Sequence, residues 1–368
     1  MSGKVKKHEP PFHIAKRDSL PAYKSWGIRL AAIIIALIVA GLVTMLLTGE
    51  NPISVYGTMI DGAFGSSRRV WKLLQNLAML LCVSLAVTPA FKMRFWNIGA
   101  EGQVLIGGLA TAGCMIMLGG KLPNAVLIIV MLVASMLAGA VWALIPAFFK
   151  AKFNTNETLF TLMMNYVGIQ LVSYFEMYWE NPKGSSNIGI INQATHDGWL
   201  PVIGNYDYLL NVIVVLALTV FMYIYLKYSK HGYELTVVGE SENTARYIGV
   251  NVKKVILRTM ALSGAICGIA GLLLVSGTNH TLSTTTAGGR GFTAIMVSWL
   301  AKFNPIVMVL TSLLLAFLNC GAGEISTVYG FNESFSDIIT GIILFFIIGS
   351  EFFINYQIKF HRSGKEVK

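Results

Sequence analysis

Nine stretches of this chain are apolar for about as long as a helix needs to cross a bilayer. They cover residues 27–47, 73–91, 102–118, 123–149, 158–178, 208–227, 256–277, 304–320 and 334–355. In lipid every backbone polar group must find a partner inside the protein, so spans of this kind are helices. The expected fold class is an all-α integral membrane protein. Composition agrees: 55% of the 368 residues are hydrophobic and only 12% charged, where a soluble domain carries roughly 25%. A tenth region, 284–301, is shorter and contains Gly288-Gly289-Arg290-Gly291. Taken as a broken or re-entrant crossing, it gives about ten membrane helices and puts both termini on one side.

Lysine and arginine decide which side. With the N-terminus inside, inner segments carry 22 of these residues and outer segments 5. That asymmetry predicts an N-in, C-in arrangement. The cluster Arg68, Arg69 and Lys72 is its one local dissent. Residues 1–26 then form a basic cytoplasmic tail, 27–355 a transmembrane body, and 356–368 a second cytoplasmic tail. Residues 179–207 become an external loop or short amphipathic helix, and 228–255 a cytoplasmic loop. The net charge of +10 reflects this inner face. Its basic residues lie scattered over termini and loops, so nucleic acid is not an expected partner. The polar N-terminal segment has no small-residue cleavage site behind its first apolar run and reads as retained. Cys82, Cys114, Cys267 and Cys320 each fall in or beside an apolar run without a Cys-x-x-Cys pair, so buried thiols are expected and no metal.

Polar residues inside apolar runs are costly unless satisfied, and they fall in three groups. The first is Phe95-Trp96-Asn97-Ile98-Gly99-Ala100-Glu101-Gly102-Gln103. Gly99 and Gly102 free the backbone to enter the membrane through a broken helix. Asn97 suits an N-cap, and Glu101 then lies in the first turn, where the helix dipole favours an anion. Such groups either satisfy a broken helix end or line and gate a polar path. The second group opens the fifth span: Glu157, Thr161, Asn165 and Gly168 share one helical face. That face should meet the bundle interior or a water-filled cavity, bonding a neighbouring helix or lining a path. The third is residues 277–295, rich in hydroxyls and glycine, where Gly288, Gly289 and Gly291 suit a bend and Arg290 needs a partner. Gly264-x-x-x-Gly268 reads as a close-packing motif.

The breaks at 97–103 and 287–293 occupy corresponding places in two sets of spans separated by an odd number of crossings. An inverted repeat is expected. In the inner loop, Ser241 or Asn243 can start a short helix that Gly249 ends. It would carry Ala245, Tyr247 and Ile248 into the cytoplasm, as a docking knob or as a self-packed loop. No Gly-x4-Gly-Lys-Ser/Thr, His-Glu-x-x-His or Gly-x-Ser-x-Gly motif occurs, and no carboxylate pair lies within a span. An enzyme is not expected, and an ion-coupled carrier lacks its embedded acids.

Together these motifs resemble the permease subunits of ATP-binding-cassette importers of the ribose, branched-chain amino acid and nucleoside group. The matching blocks are 95–103, Asn156-Glu157-Thr158-x2-Thr161-Leu-Met-x-Asn165-Tyr166, Gly239-x3-Asn243-x-Ala245-x-Tyr247-x-Gly249, and Gly289-x-Gly291-Phe292-Thr293-Ala-Ile295. They run in family order over roughly residues 50–350. The pattern looks nearest to the nucleoside permeases served by basic-membrane-protein-type lipoproteins, with a ribose-like sugar permease as the alternative. Lys302-Phe303-Asn304-Pro305 fits it, whereas Ser298 and Trp299 stand where small residues are common. The resemblance implies a substrate path at Asn97, Glu101, Gln103, Thr161, Asn165, Phe292 and Thr293. It implies ATPase coupling at Gly239, Asn243, Ala245, Arg246, Tyr247 and Gly249. It implies a second permease, a heterodimer rather than a homodimer, a cytoplasmic ATPase that binds the Mg-ATP, an external binding lipoprotein, and a bacterial plasma membrane. No cofactor would bind this subunit.

Overall fold

Helix starts follow polar caps. In the computed structural model, which describes residues 12–17, 21–204, 206–331 and 333–360, Asn51, Ser66, Asn156, Ser229, Ser241 and Asn251 each accept a first-turn N–H through the side chain. The long helices are α1 (Ala22–Thr48), α3 (Ser67–Lys92), α4 (Ala100–Leu118), α5 (Asn124–Phe153), α6 (Glu157–Tyr178) and α7 (Leu209–Tyr228). They continue with α10 (Val252–Leu274), α12 (Pro305–Tyr329) and α13 (Glu333–Asn355). Shorter ones are α2 (Pro52–Phe64), α8 (Lys230–Glu240), α9 (Glu242–Tyr247) and α11 (Arg290–Leu300). A wide helical turn, Val275–Asn279, prolongs α10.

Eight helices among the described residues are long and apolar enough to span a membrane. The ninth apolar run is α6, 22 residues long and carrying the polar stripe. The tenth region contains only the 11 residues of α11, about 16 Å of helix against a hydrocarbon core of about 30 Å. It is a half-length element preceded by non-helical backbone. The tails are not wholly irregular: β1 (Phe12–Lys16) and β2 (Tyr356–Phe360) pair antiparallel, Phe12 opposite Phe360 and Lys16 opposite Tyr356. Their five-residue length and mixed composition gave no sequence signal. The 179–207 segment forms turns and no helix among its described residues.

The chain divides into two compact units, Met1–Gly65 with Leu318–Lys368, and Ser66–Phe317. In the first, α1 packs on α13, and Arg29 bonds Glu351 at 2.5 Å. In the second, α3 and α10 are central. The apolar window of α3 is 89% buried, whereas that of α5 is only 22% buried. α10 packs against α3, α4 and α5, while α11 packs against α3 and α4. The helix after each break thus lies against the other half's long helix, α4 on α10 and α11 on α3. The Gly264-x-x-x-Gly268 motif acts as expected: side chains at either position would overlap the α5 backbone at Gly139 or Ser135.

Candidate functional site

The break between α3 and α4 is closed by side chains. Asn97 is not the N-cap of α4: Gly99 holds that position, without a side-chain cap. Asn97 sits two residues earlier, where its Oδ1 accepts from Gly99 N–H and from Gln103 Nε2, both at 3.1 Å. Its Nδ2 donates to Gln103 Oε1 at 3.3 Å and to Ser263 Oγ at 3.2 Å. The α6 stripe closes the other side. Asn165 donates to Ile98 O at 2.7 Å and accepts from Gly102 N–H at 2.8 Å. Thr161 Oγ accepts from Ile98 N–H and reaches the Trp96 and Glu157 carbonyls. Glycine at 102 suits a close approach, since a Cβ there would lie 3.0 Å from both Cα and Oδ1 of Asn165. Asn97, Gln103, Thr161 and Asn165 are all buried.

Glu101 leaves its own helix. Its Oε1 accepts from Gly289 N–H and its Oε2 from Gly291 N–H, each at 2.7 Å. One carboxylate therefore caps α11 from 190 residues away, where the helix dipole and two orphan donors favour an anion. Gly288 and Gly289 adopt φ of 61° and 71°, the left-handed region that suits glycine. Gly291 packs so closely on the Glu101 backbone that a Cβ would overlap it. Arg290 finds its partners in Asn76 Oδ1 and the Ala287 carbonyl, both at 3.2 Å.

α11 has two unlike faces. Gly291, Ala294, Val297 and Ser298 are buried. Phe292 is 46% exposed, Trp299 is 49% exposed, and Thr293 is half-buried. The seven residues named as a path therefore separate: five are buried and bonded within the chain, and Phe292 and Thr293 stand on the open side. Sequence reasoning passed over Ser263 and a second polar knot. In that knot Asn211 Nδ2 donates to Gln75 Oε1 at 3.2 Å, and Gln75 bonds Thr278 beside the wide turn of α10. Amides inside spans 73–91 and 208–227 were its visible signal.

The loop segment folds as α8 and α9. Ser241 caps α9 by accepting Thr244 N–H at 3.2 Å, and Gly249 turns away at φ 83°. The expectation that Ala245 points outward is corrected. Ala245 is fully buried because α9 packs back on α8 and α10, and its small side chain seats the helix. Gly239 is also buried, against the Lys92 carbonyl. Asn243, Arg246 and Tyr247 are exposed, Tyr247 at 95%. α8 is tied to α10 by Arg258 donating to Glu234 at 3.0 Å. Partial burial opposes ionisation of Glu234, but Arg258, Lys230 and His231 outweigh it and hold the carboxyl below its usual range.

A half-helix braced inside a multi-span bundle, with a short helix displayed from one loop, describes a membrane translocation protein. The family model for the permease component of the branched-chain amino acid transport system matches residues 69–348, and this chain belongs to that family. The guanosine ABC transporter permease of Bacillus subtilis is 31% identical over 334 residues, 90% of this chain and 94% of its own. The glucose ABC transporter permease of Haloferax volcanii is 29% identical over 363 residues, 95% of this chain and 94% of its own. The nucleoside ABC transporter permease of Lactococcus lactis is 26% identical over 318 residues, 83% and 86% respectively.

Proposed function

We propose that this chain is the membrane permease subunit of an ATP-driven importer for nucleosides, purine nucleosides such as guanosine foremost. The observation that carries the reading is the open face of α11, held by Glu101 on a backbone that is not helical. Leu282 lies beside Gly108 and Gly291 beside Glu101, so residues 282–291 run along the first turns of α4. Non-helical backbone at that depth is tolerated only against protein or a water-filled cavity. On this reading the face with Phe292 and Thr293, which opens where that stretch ends, lines a path or a partner subunit; Glu101 holds its helix start, and Asn97, Gln103, Thr161 and Asn165 fix the break that carries Glu101. The guanosine and nucleoside relatives support the substrate class. The glucose relative favours a second reading, import of a sugar.

On this reading a separate cytoplasmic ATPase docks on Asn243, Arg246 and Tyr247 of α9, with Gly239 and Ala245 setting its seat and Gly249 ending it. The ATPase binds the Mg-ATP. A second homologous permease completes the path, in a heterodimer, and an external lipoprotein delivers substrate in a bacterial plasma membrane. Closure of the ATPase dimer would move α9, and the Glu234–Arg258 tie would pass the movement to α10. Labelled guanosine, ribose and glucose uptake in cells with and without this chain tests the reading. Guanosine uptake that depends on the chain is expected, and loss of sugar uptake alone would reverse the substrate.

A further inference from the structure

Two tryptophans from opposite halves of the second unit meet at one end of α11. Trp96 belongs to the break before α4 and Trp299 to the last turn of α11. Their rings stack with centroids 5.7 Å apart and planes 28° apart. Phe91, itself buried, sets its edge against both, at 5.8 Å and 6.4 Å. Phe303 sets its edge against Trp299 at 5.3 Å. Lys302 and Phe303 take left-handed φ of 51° and 59°, which turns the chain tightly beneath the cluster. Trp96 and Trp299 remain 45% and 49% exposed, so a stacked pair buttressed from behind keeps an open aromatic surface. Phe292 and Trp299 lie seven residues apart on the same helix and share its open side. The helix begins where the non-helical stretch ends, and that stretch must meet protein or water, so the row continues from a segment held off lipid. Lys92, Arg94 and Lys302 close by put this end inward by the charge count.

We propose that Trp96 and Trp299 form a stacking site at the inner end of the path, which favours substrates carrying a planar aromatic base and larger ring systems over smaller ones. Aromatic rings attract bases face to face or offset, without hydrogen-bond readout, so the site selects by ring area. A sugar lacking a base offers only the C–H face of its ring there, a smaller surface than a planar base. The proposal rests on the importer reading above and specifies the substrate class of that path. The competing role is interfacial anchoring, which tryptophans also perform at membrane surfaces.

The test uses cells with the complete importer, varying only this chain. Initial uptake of labelled guanosine and uridine is measured for the wild type, Trp299→Leu and Trp299→Phe, each normalised to the amount in the membrane. Leucine keeps an apolar anchor without a ring, and phenylalanine keeps a ring. The guanosine-to-uridine ratio is expected to fall roughly threefold in Trp299→Leu and to recover most of the way in Trp299→Phe. An unchanged ratio, with both rates intact or both lowered equally, overturns the stacking site and leaves an anchor only. If Trp299→Leu fails to reach the membrane, Trp96→Leu supplies the same comparison. Wild-type cells that take up neither nucleoside overturn the importer reading, and the stacking site with it. Wild-type uptake with an unmoved ratio overturns the stacking site alone.

Discussion

Before α4 the broken backbone at 96–102 is bonded by Asn97, Thr161 and Asn165 and packed against α6 and α10, with Trp96 left open. Before α11 one carboxylate from α4 holds the Gly289 and Gly291 donors at the helix start, with Ser283 bonding Thr286 and Arg290 bonding Asn76 and the Ala287 carbonyl around it, and the helix that follows leaves Phe292 and Trp299 open. Both breaks use glycines, polar side chains and a short turn. The difference is redundancy. The first has several neutral bonds from three elements, so losing one leaves the others. The second leaves its helix start to a single charged group, whose two bonds are strong but fail together. A fixed element and a releasable one can thus be built from nearly the same residue types.

Removing that carboxylate is the sharpest way to break the comparison. Glu101→Ala strands the Gly289 and Gly291 donors in a buried place and should cost about 3 kcal/mol or more. It should show as a lowered unfolding temperature in detergent and abolished uptake. Glu101→Gln, which keeps acceptor capacity for one donor only, should fall between it and the wild type. Asn165→Ala removes two neutral bonds at the first break and should cost about 2 kcal/mol, with partial uptake retained. If Asn165→Ala proved the more damaging in both measurements, the two breaks would have to exchange roles.

Two smaller effects test the open surfaces. Phe292→Ala should leave the unfolding temperature within the shift of about 0.5 kcal/mol expected at an exposed site, yet lower uptake. Equal uptake would remove Phe292 from the path. Tyr247→Asp should leave the membrane fold intact and reduce co-purification of the ATPase. Normal co-purification would turn α9 from a dock into a loop.

The smallest effect concerns the outer loop. His280 stacks on Trp199 with centroids 3.7 Å apart, and His196 lies on the other edge of that ring. Burial, then the nearby His196 charge, push the His280 value below its ordinary range, against the weaker pull of the Ser276 backbone and Asp207. The folded value is lower than the unfolded one. The loop's stability is therefore whole above about pH 6.5 and is lost as pH falls through the folded value. Amide exchange at residues 191–200 should speed up on acidification relative to a His280→Gln protein, and parallel behaviour of the two would exclude His280.

Much of the architecture was legible because hydropathy is local. All nine apolar runs became long helices, most ends falling within about five residues of expectation, though α3 starts six residues earlier and α12 runs nine residues further, and Ser241 and Gly249 bounded α9 as their chemistry requires. The polar stripe of α6 was also legible as a face, since helical spacing fixes which residues align. What that face touches was not. Asn97 read as an N-cap, and only the fold put it two residues earlier, bonded to Gln103 and Ser263. Ala245 looked displayed because its neighbours are polar, and packing on α8 and α10 buried it.

By itself the sequence determined that this chain lives in a membrane, where its helices run, and which polar residues had to be satisfied, because the cost of an unpaired group in hydrocarbon depends on the residue and its immediate run. The tertiary structure alone decided who satisfies whom. Glu101 and Gly289 are 188 residues apart, and no local preference encodes a bond across that distance. It forms because packing α4 on α10 and α11 on α3 brings a buried acceptor within reach of two donors that have no other partner.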